Sequence, residues 1–468
     1  MAFKCSYTRQ NDQKTANVYT HLPKSKIRQK ISKKIIEMID ILLYNILSAK
    51  ISRKFKLKAI CRTDKFKGGH FMSRTIGAVS RGIRTPIIVE GDNPVDITVQ
   101  SLLEAFEEEN IKVNDRDIVG VTEAVVARAQ GNYITCDDIA EDVKNKFGDD
   151  TIGLIFPILS RNRFSIVLKG IARGAKKIVL MLSYPSDEVG NHLVSLDQLD
   201  EKGVNPWSTI MDEAEYRRLF GKNPHPFTQV DYVEYYKELI TSENCEAEVI
   251  FANKATDILP YAKSVICADI HSRARSKRLL KAAGAEKVYG LDDLMTAPIN
   301  GSGYNEMYGL LGSNKATEEK VKLFPRDCEK FVTELQAKLL EKTGKKIECM
   351  VYGDGAFKDP QGKIWELADP VVSPGFTDGL VGLPSELKLK YLADNQFAGM
   401  KGEELRDAMT QYIANKKKDL MGSMESQGTT PRQLTDLIGS LCDLTSGSGD
   451  KGTPVIFIQG YFDNYSNG

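Results

Sequence analysis

The chain has 468 residues, of which 41% are hydrophobic and 27% charged, and this balance is typical of a folded globular protein. Its length exceeds one ordinary hydrophobic core, so two or three domains are expected. The eight cysteines are scattered without a C-x-x-C pair, which excludes a zinc cluster or dense disulfide framework and predicts a cytoplasmic location.

Residues 1–71 carry 17 Lys and Arg against 4 Asp and Glu, although the net charge of the whole chain is only +1. An apolar stripe over residues 35–46 with lysine-rich flanks allows a membrane-surface helix. No apolar run reaches the roughly 20 residues of a membrane-spanning helix. The alternative is a disordered or dispensable extension, because Met72 opens a segment that leads straight into a folded domain. We assign no function to residues 1–71 and expect no membrane partner.

Residues 72–158 are predicted to form the N-terminal part of the main domain. A short strand is expected directly after Pro86, and an amphipathic helix follows it. The apolar face of that helix contains Val99, Leu102, Leu103 and Phe106. A further strand over residues 118–121 and a short helix closed by Gly131 come next.

The middle block, residues 159–300, is predicted to be an inserted α/β subdomain, because strand and helix patterns alternate through it. Its strand candidates are residues 176–182, 247–253 and 264–270. His271, Arg273 and Arg275 follow the last of them, where open sheets often bind ligands. The alternative, which we favour for these three residues, is a solvated basic helix face.

Residues 301–468 contain three glycine-rich loops: GLLGSN (309–314), YGDGAFKD (352–359) and SGSGDKGTP (446–454). Glycines allow backbone N–H groups to turn toward an anion, and such concave loops bind phosphate. Acidic residues in the last two loops, Asp354, Asp359 and Asp450, could hold a divalent cation that bridges phosphate oxygens. Any one loop could be a simple turn, but three in one block with acidic residues predict nucleotide binding.

Two other site types are excluded by sequence context. The GSGDKG match at residues 447–452 follows a helix pattern and precedes a strand, whereas a dinucleotide-binding fingerprint requires the reverse order. Five histidines and no G-x-S-x-G motif argue against a Ser-His-Asp hydrolase.

Four stretches, taken in order, resemble the coenzyme F(420) γ-glutamyl ligases, which add glutamate to a deazaflavin coenzyme precursor. They are TPIIVEGD with DRDIVGVTEAVVARAQG, then GLLGSN, LLEKTGKKIECMVYGDGAF and GDKGTPVIFIQG. The resemblance implies an α+β (mixed α/β) fold, with a γ-glutamyl ligase-like core that the middle block interrupts.

The resemblance also implies the activity. The expected protein is an acid–amino acid ligase that uses GTP or ATP with Mg²⁺ or Mn²⁺, and that forms an acyl phosphate on its acid substrate. The implied substrates are a small-molecule carboxylic acid and L-glutamate, and the implied assembly is a homodimer without nucleic acid.

The resemblance assigns roles to particular residues. Asp354 and Lys358 are the implied catalytic residues, and Asp354 and Asp436 are the implied metal ligands. The implied nucleotide-binding residues are Ser313, Asn314, Gly449, Asp450 and Gly452.

The sequence departs from the family pattern at four positions. Leu311 stands where the family has an acid, and Arg128 replaces a lysine. Phe357 and Gln459 stand where the family has arginines. These departures leave a second hypothesis open, namely a catalytically impaired ligase-like protein that still binds nucleotide.

Overall fold

The computed structural model describes residues 76–226, 228–354, 357–358, 365–366, 369–417, 419–420, 422–426, 432–446 and 450–466. Residues 1–71, Asp359 and Gly449 therefore lie outside the described residues. Most of the described chain belongs to one compact unit, Met72–Ala398 with Ala408–Gly468, while Gly399–Asp407 groups separately. No helix in the described ranges combines the length and the apolar content needed to cross a membrane.

The strands, in chain order, are β1 (Val79–Ile83), β2 (Ile118–Thr122), β3 (Tyr133–Thr135), β4 (Thr151–Ile155), β5 (Lys177–Leu182), β6 (Met211–Asp212), β7 (Glu246–Phe251), β8 (Ser264–Cys267), β9 (Lys287–Gly290), β10 (Asn314–Lys315), β11 (Lys320–Lys322), β12 (Glu348–Tyr352), β13 (Phe357–Lys358), β14 (Trp365–Glu366), β15 (Gly375–Phe376) and β16 (Val455–Gln459). The α-helices are α1 (Pro94–Glu108), α2 (Glu123–Ala129), α3 (Cys136–Phe147), α4 (Phe164–Gly174), α5 (Leu196–Lys202), α6 (Glu213–Phe220), α7 (Tyr232–Ser242), α8 (Arg273–Ala282), α9 (Cys328–Thr343), α10 (Leu389–Asp394), α11 (Gly402–Ala414) and α12 (Leu434–Ser446). Helices and strands in this arrangement make an α+β fold, as predicted.

A five-stranded sheet with the order β1-β16-β2-β12-β15 forms the first core. β2 and β12 are parallel neighbours, whereas the other pairs are antiparallel. Alternate strand residues face opposite sides, so Val119 and Val121 pack with α1 and α9, while Ile118 packs with α12. The predicted helix face is confirmed, because Val99 and its apolar neighbours on α1 are buried in this core.

The strand predicted directly after Pro86 is wrong. The strand in this region is β1, which ends before Pro86. The residues after Pro86 are irregular up to a turn at residues 90–91, and Ile87 is 83% exposed whereas Ile88 is buried. Proline cannot donate to a sheet, and the Asp92 carboxylate accepts the N–H of Val89 at 2.8 Å. The apolar pair Ile87 and Ile88 gave the same sequence signal as a buried strand.

A six-stranded sheet with the order β6-β7-β5-β4-β8-β9 forms the second core. All pairs are parallel except the edge pair β6–β7. The three strands predicted from the middle block are confirmed as β5, β7 and β8. The central strand β4 lies before residue 159, so the sheet of the middle block begins within the range 72–158 that the sequence pattern assigned to the main domain.

A three-stranded sheet, β10-β11-β3, carries residues 314–322. Its hairpin pairs Asn314 with Lys322, and β11 pairs with β3. Farther along the chain, α9 ends at Gly344, whose φ of +67° is the left-handed conformation that favours glycine at a helix end. β12 begins four residues later and leads into the Gly353-Asp354 turn.

Candidate functional site

The two parallel strands of the first sheet end side by side, with Thr122 of β2 opposite Tyr352 of β12. Glu123 follows the first strand directly, and Gly353 with Asp354 follows the second. The carboxyl ends of neighbouring parallel strands are where open sheets commonly bind ligands. This end of the sheet is therefore the candidate site.

Arg163 connects two acidic residues at this point. Its Nη1 donates to Oδ1 of Asp369 at 2.6 Å, and its Nη2 donates to Oδ2 of Asp354. The amide of Asp354 also donates to Oδ2 of Asp369 at 2.7 Å. A Cβ at position 353 would collide with the Asp369 carboxylate, so the glycine of the Gly353-Asp354 turn is required by this close approach.

A second buried ion pair lies beside the first group. Nζ of Lys322 lies 2.8 and 2.6 Å from the two carboxylate oxygens of Glu123, and both side chains are almost fully buried. We call Glu123, Asp354 and Asp369, with Arg163 and Lys322, the acidic cluster. With all three carboxyl groups ionised, the cluster holds three negative charges and two positive ones.

Burial and nearby negative charge raise the pKa values of Glu123 and Asp354. Desolvation is the largest cause at Asp354, whose pKa rises to about 6, and the Asp369 carboxylate adds to the rise while Arg163 opposes it. Desolvation likewise raises the pKa of Glu123 to about 7, with Lys322 opposing it. Perturbed carboxyl groups of this kind occur frequently in active sites.

Hydrogen bonds from residues of the second core hold the loop that carries Arg163. The Oη of Tyr236 accepts the N–H of Ser160 at 2.8 Å and donates to the carbonyl of Ile158 at 2.9 Å. Asp187, which is buried, accepts the N–H of Leu159 at 2.7 Å. The guanidinium of Arg163 is therefore held in place before any ligand arrives.

The predicted nucleotide residues Ser313 and Asn314 lie next to this loop. The N–H of Lys315 donates to the carbonyl of Asn162 at 2.6 Å. Asn314 is also the partner of Lys322 in the β10–β11 pair. The GLLGSN loop is thus attached to the acidic cluster at two points.

The loop before β16 reaches the same end of the sheet. The carbonyl of Pro454 accepts the N–H of Thr122 at 3.0 Å and the hydroxyl of Tyr352 at 3.4 Å. Gly452 adopts φ +66°, and Asp450 is exposed. The end of the SGSGDKGTP loop therefore lies at the same end of the first sheet as the Gly353-Asp354 turn.

Asp436 and Lys358 are the two remaining predicted residues. Asp436 lies in the first turn of α12, about 10 Å along the helix axis from Asp443. Asp443 is the residue of that helix whose charge helps to raise the pKa of Asp354, so the far end of α12 faces the cluster. Lys358 lies in β13, of which the structure describes only the backbone.

An open pocket of about 590 Å³ adjoins the acidic cluster, with a volume in the range of small-molecule sites. Arg128, Lys315, Lys320 and Lys322 line it, and among the residues that the structure describes Glu90 is the one acidic residue in its wall. Asn314 is part of the same wall. We call this the basic pocket, and Lys322 belongs both to it and to the acidic cluster.

The carboxylates do not form a finished metal cage. Within the ranges that the structure describes, no three His, Cys, Asp or Glu side chains are arranged to hold a metal ion. Asp354 is nevertheless 38% exposed at its side chain, whereas Asp369 is 1% exposed. Asp354 is accordingly the carboxylate of the pair that an incoming cation could reach.

The departures from the family pattern fall in different places. Gln459 lies at the opposite end of the first sheet, where its amide donates to the carboxylate of Asp117 at 3.0 Å and its Oε1 accepts from Arg81. Leu311 is buried beside Arg163. Arg128 lines the basic pocket. Among the three departures whose side chains the structure describes, Leu311 and Arg128 bear directly on the site.

Sequence reasoning missed four residues of the acidic cluster: Glu123, Arg163, Lys322 and Asp369. Glu123 had a usable signal, because it directly follows a buried apolar strand. Arg163 and Asp369 lie in loops and Lys322 lies on the short strand β11, and none of the three had a distinguishing pattern. Their partners are distant in sequence, with 191 positions separating Arg163 from Asp354.

The fold and this geometry define an α+β protein with a basic pocket beside buried carboxylates at the ends of two parallel strands. A family model described as F420-0:Gamma-glutamyl ligase matches residues 82–460. The chain therefore belongs to the F420-0:gamma-glutamyl ligase family, which confirms the predicted family. The search of curated proteins finds no match.

We expect the protein to become less stable as pH rises from about 5 to 7.5. The folded-state pKa of Glu123 is raised from 4.5 to about 7, so the folded protein binds more protons than the unfolded chain in this interval. Glu123→Gln should reduce the stability lost over this pH range by about 1–3 kcal/mol, because the variant takes up no proton at this position. Urea unfolding at several pH values measures the slope.

The control for this prediction is Glu141→Gln, which makes the same change at an exposed position on α3. It should keep the pH slope of the original protein. Equal slopes for both variants would show that Glu123 does not take up the proton.

Proposed function

We propose that the protein is a nucleotide-dependent ligase that joins a small carboxylic acid to the amino group of L-glutamate. Family membership supports a ligase that acts on a carboxylic acid and glutamate. The observation that carries the finer proposal is the adjacency of the basic pocket to the acidic cluster through Lys322. A basic pocket beside an acidic cluster suits a reaction in which a polyphosphate lies next to a reacting carboxyl group.

The basic pocket is the proposed site of the GTP or ATP phosphates. Arg128 and Lys320 have no ion-pair partner among the described residues, so their charges are available to an anion. Arginine also donates in a planar fork that matches phosphate oxygens. Asn314, which the resemblance assigns to the nucleotide, lines this pocket.

The residues present fit a divalent cation that binds together with the nucleotide. Mg²⁺ commonly uses one or two carboxylates together with substrate phosphates, rather than a complete protein cage. Asp354 would supply the carboxylate, and Asp436 remains a predicted further ligand. When bound, Mg²⁺ or Mn²⁺ neutralises charge on the phosphates.

The proposed reaction has two steps. The carboxylate of the acid attacks the terminal phosphorus, which gives an acyl phosphate and a nucleoside diphosphate. The amine of glutamate then attacks the acyl carbon, and inorganic phosphate leaves as the amide bond forms. Glu123, with a pKa near neutrality, is the proposed acceptor of the proton that the amine loses.

The reconstituted reaction tests the proposal. Full-length protein with Mg²⁺ or Mn²⁺, GTP or ATP, L-glutamate and a panel of small carboxylic acids should release phosphate only when every component is present. Arg128→Ala should weaken nucleotide binding about tenfold or more, because one charge-assisted contact to phosphate is lost. The exposed Arg218→Ala is the matched control.

The alternative is an impaired ligase that retains nucleotide binding, which the buried Leu311 and the ion-paired Asp354 favour. It predicts a nucleotide-dependent rise in melting temperature without phosphate release. Absence of both effects for every nucleotide and metal would contradict both functions.

We also propose a homodimer, which light scattering on the purified protein tests. We further propose a cytoplasmic location, because the six described cysteines are free thiols.

A further inference from the structure

The hairpin of β10 and β11, residues 314–322, forms one wall of the basic pocket. It supplies six of the twelve residues that line the pocket, including Asn314, Lys320 and Lys322. Its base is held by the hydrogen bond from the N–H of Lys315 to the carbonyl of Asn162. Residues 315–320 are all exposed, so apolar burial does not hold the tip. Segments with little buried surface open at low cost in free energy, so the tip depends on polar contacts for a fixed position.

Glu319 makes these polar contacts toward α4 of the second core. Its carboxylate accepts from Nζ of Lys169 and, at 2.8 Å, from Nη1 of Arg173. Its carbonyl accepts the N–H of Cys136 at 3.0 Å. Nζ of Lys169 also donates to the carbonyl of Glu318 at 3.2 Å. The tip of the hairpin is therefore attached to two helices that lie outside the pocket.

The ion pairs of Glu319 are well fixed on the side of α4. Nε of Arg173 donates to Oε2 of Glu243 at 2.8 Å, and the side chains of these two residues are only 26% and 13% exposed. Hydrogen bonds from Arg173 and Lys169 lower the pKa of Glu319 from 4.5 to about 2. Glu319 is therefore fully ionised at neutral pH, where both cations hold it.

α4 connects this contact to the acidic cluster. The helix begins directly after Arg163, whose guanidinium binds Asp354 and Asp369. Lys169 and Arg173 lie about 9 and 15 Å farther along the helix axis. One helix therefore holds the acidic cluster at its start and the hairpin toward its end, and it sets the separation between the two.

We propose that Glu319 is a positioning residue for the hairpin wall of the basic pocket, an inference that rests on the proposed binding of nucleotide phosphates there. Its contact with α4 holds the hairpin, and with it Asn314 and Lys320, in the arrangement that receives an anion. A polyphosphate then meets an ordered wall, so none of its binding free energy is spent on ordering the hairpin.

Charge alone predicts the opposite effect of removing this residue. Glu319 is an acid near a pocket for anions, so loss of its charge would strengthen phosphate binding if only long-range electrostatics mattered. Glu318 is the matched comparison on the same hairpin. Its carboxylate is 83% exposed and pairs with Lys315 of the pocket at 2.6 Å, and no ion pair joins it to α4 among the described residues. Glu318→Gln removes the same charge and releases Lys315.

Calorimetric titration of the full-length protein with inorganic tripolyphosphate tests the inference without requiring turnover. Glu319→Gln should weaken binding about five- to tenfold, which corresponds to an ordered hairpin that is populated about 10–20% of the time. Glu318→Gln should bind as tightly as the original protein or more tightly. Hydrogen exchange of residues 314–322 should accelerate in Glu319→Gln and not in Glu318→Gln.

A second variant and turnover measurements extend the test. Lys169→Gln removes part of the same contact from the side of α4 and should also weaken tripolyphosphate binding. The double variant should bind within about twofold of Glu319→Gln, because both changes remove one contact. In turnover, Glu319→Gln should raise the KM for nucleotide and leave kcat within about twofold, because bound nucleotide orders the hairpin.

The outcomes separate the positioning role from the ligase reaction. Tripolyphosphate binding that is unchanged or stronger in Glu319→Gln overturns the positioning role, and so does an equal loss in Glu319→Gln and Glu318→Gln. Weaker binding in Glu319→Gln alone, without phosphate release from any nucleotide, overturns the ligase reaction and leaves the positioning role standing. Phosphate release with a nucleotide KM that Glu319→Gln does not change overturns the positioning role alone.

Discussion

Arg163→Met should lower the free energy of unfolding by about 3–5 kcal/mol at pH 8, which is the largest stability loss that we expect from a single change in the site. The substitution removes the cation that binds both Asp354 and Asp369, and the Asp369 side chain is only 1% exposed. Urea unfolding at 25 °C measures the loss.

The pH dependence of this loss identifies its cause. At pH 5.5 the loss should be smaller, because the Asp354 carboxyl, whose pKa is raised to about 6, can take up a proton in place of the missing cation. At each pH, Arg163→Lys should destabilise the protein less than Arg163→Met, since it keeps the charge but loses the forked contact.

Arg218→Met provides the comparison. Arg218 lies on α6, pairs with Glu215 and is 67% exposed, so its replacement should cost less than about 1 kcal/mol. If Arg163→Met lowers the free energy of unfolding at pH 8 as little as Arg218→Met does, Arg163 does not stabilise the acidic cluster.

Asp354→Asn should reduce phosphate release by about 100-fold or more, because it removes the exposed carboxylate nearest to the proposed phosphoryl transfer. Stability should change much less, by about 1–2 kcal/mol, since Arg163 retains its contact with Asp369. Phosphate release and urea unfolding are measured on the same preparation. Titration with Mn²⁺ in the presence of nucleotide should show weaker metal binding, which gives a readout independent of turnover.

Asp394→Asn, at an exposed position at the end of α10, should leave phosphate release unchanged. Asp436→Asn tests the second predicted metal ligand. We expect a smaller effect from it than from Asp354→Asn, because Asp436 lies at the end of α12 remote from the acidic cluster. Unchanged turnover in Asp354→Asn would remove this residue from the reaction.

Local patterns in the sequence were sufficient for several elements. Five predicted elements are confirmed. They are the apolar stripe of α1, the apolar runs of β2, β5 and β12, and the glycine at the end of α9. Periodicity and turn chemistry act over a few residues, so a sequence window contains the whole signal. The error after Pro86 arose because an apolar pair by itself does not distinguish a buried strand from an irregular segment with one buried side chain.

The amino-acid sequence by itself determined that this chain has a ligase-family core with glycine-rich loops near its C-terminus, because those signals are local and occur in a fixed order. Tertiary structure alone decided which side chains meet: Arg163 with Asp354 across 191 positions, and Lys322 with Glu123 across 199. The physical reason is that ion pairs depend on distance in space and on burial, and neither is encoded within a sequence window.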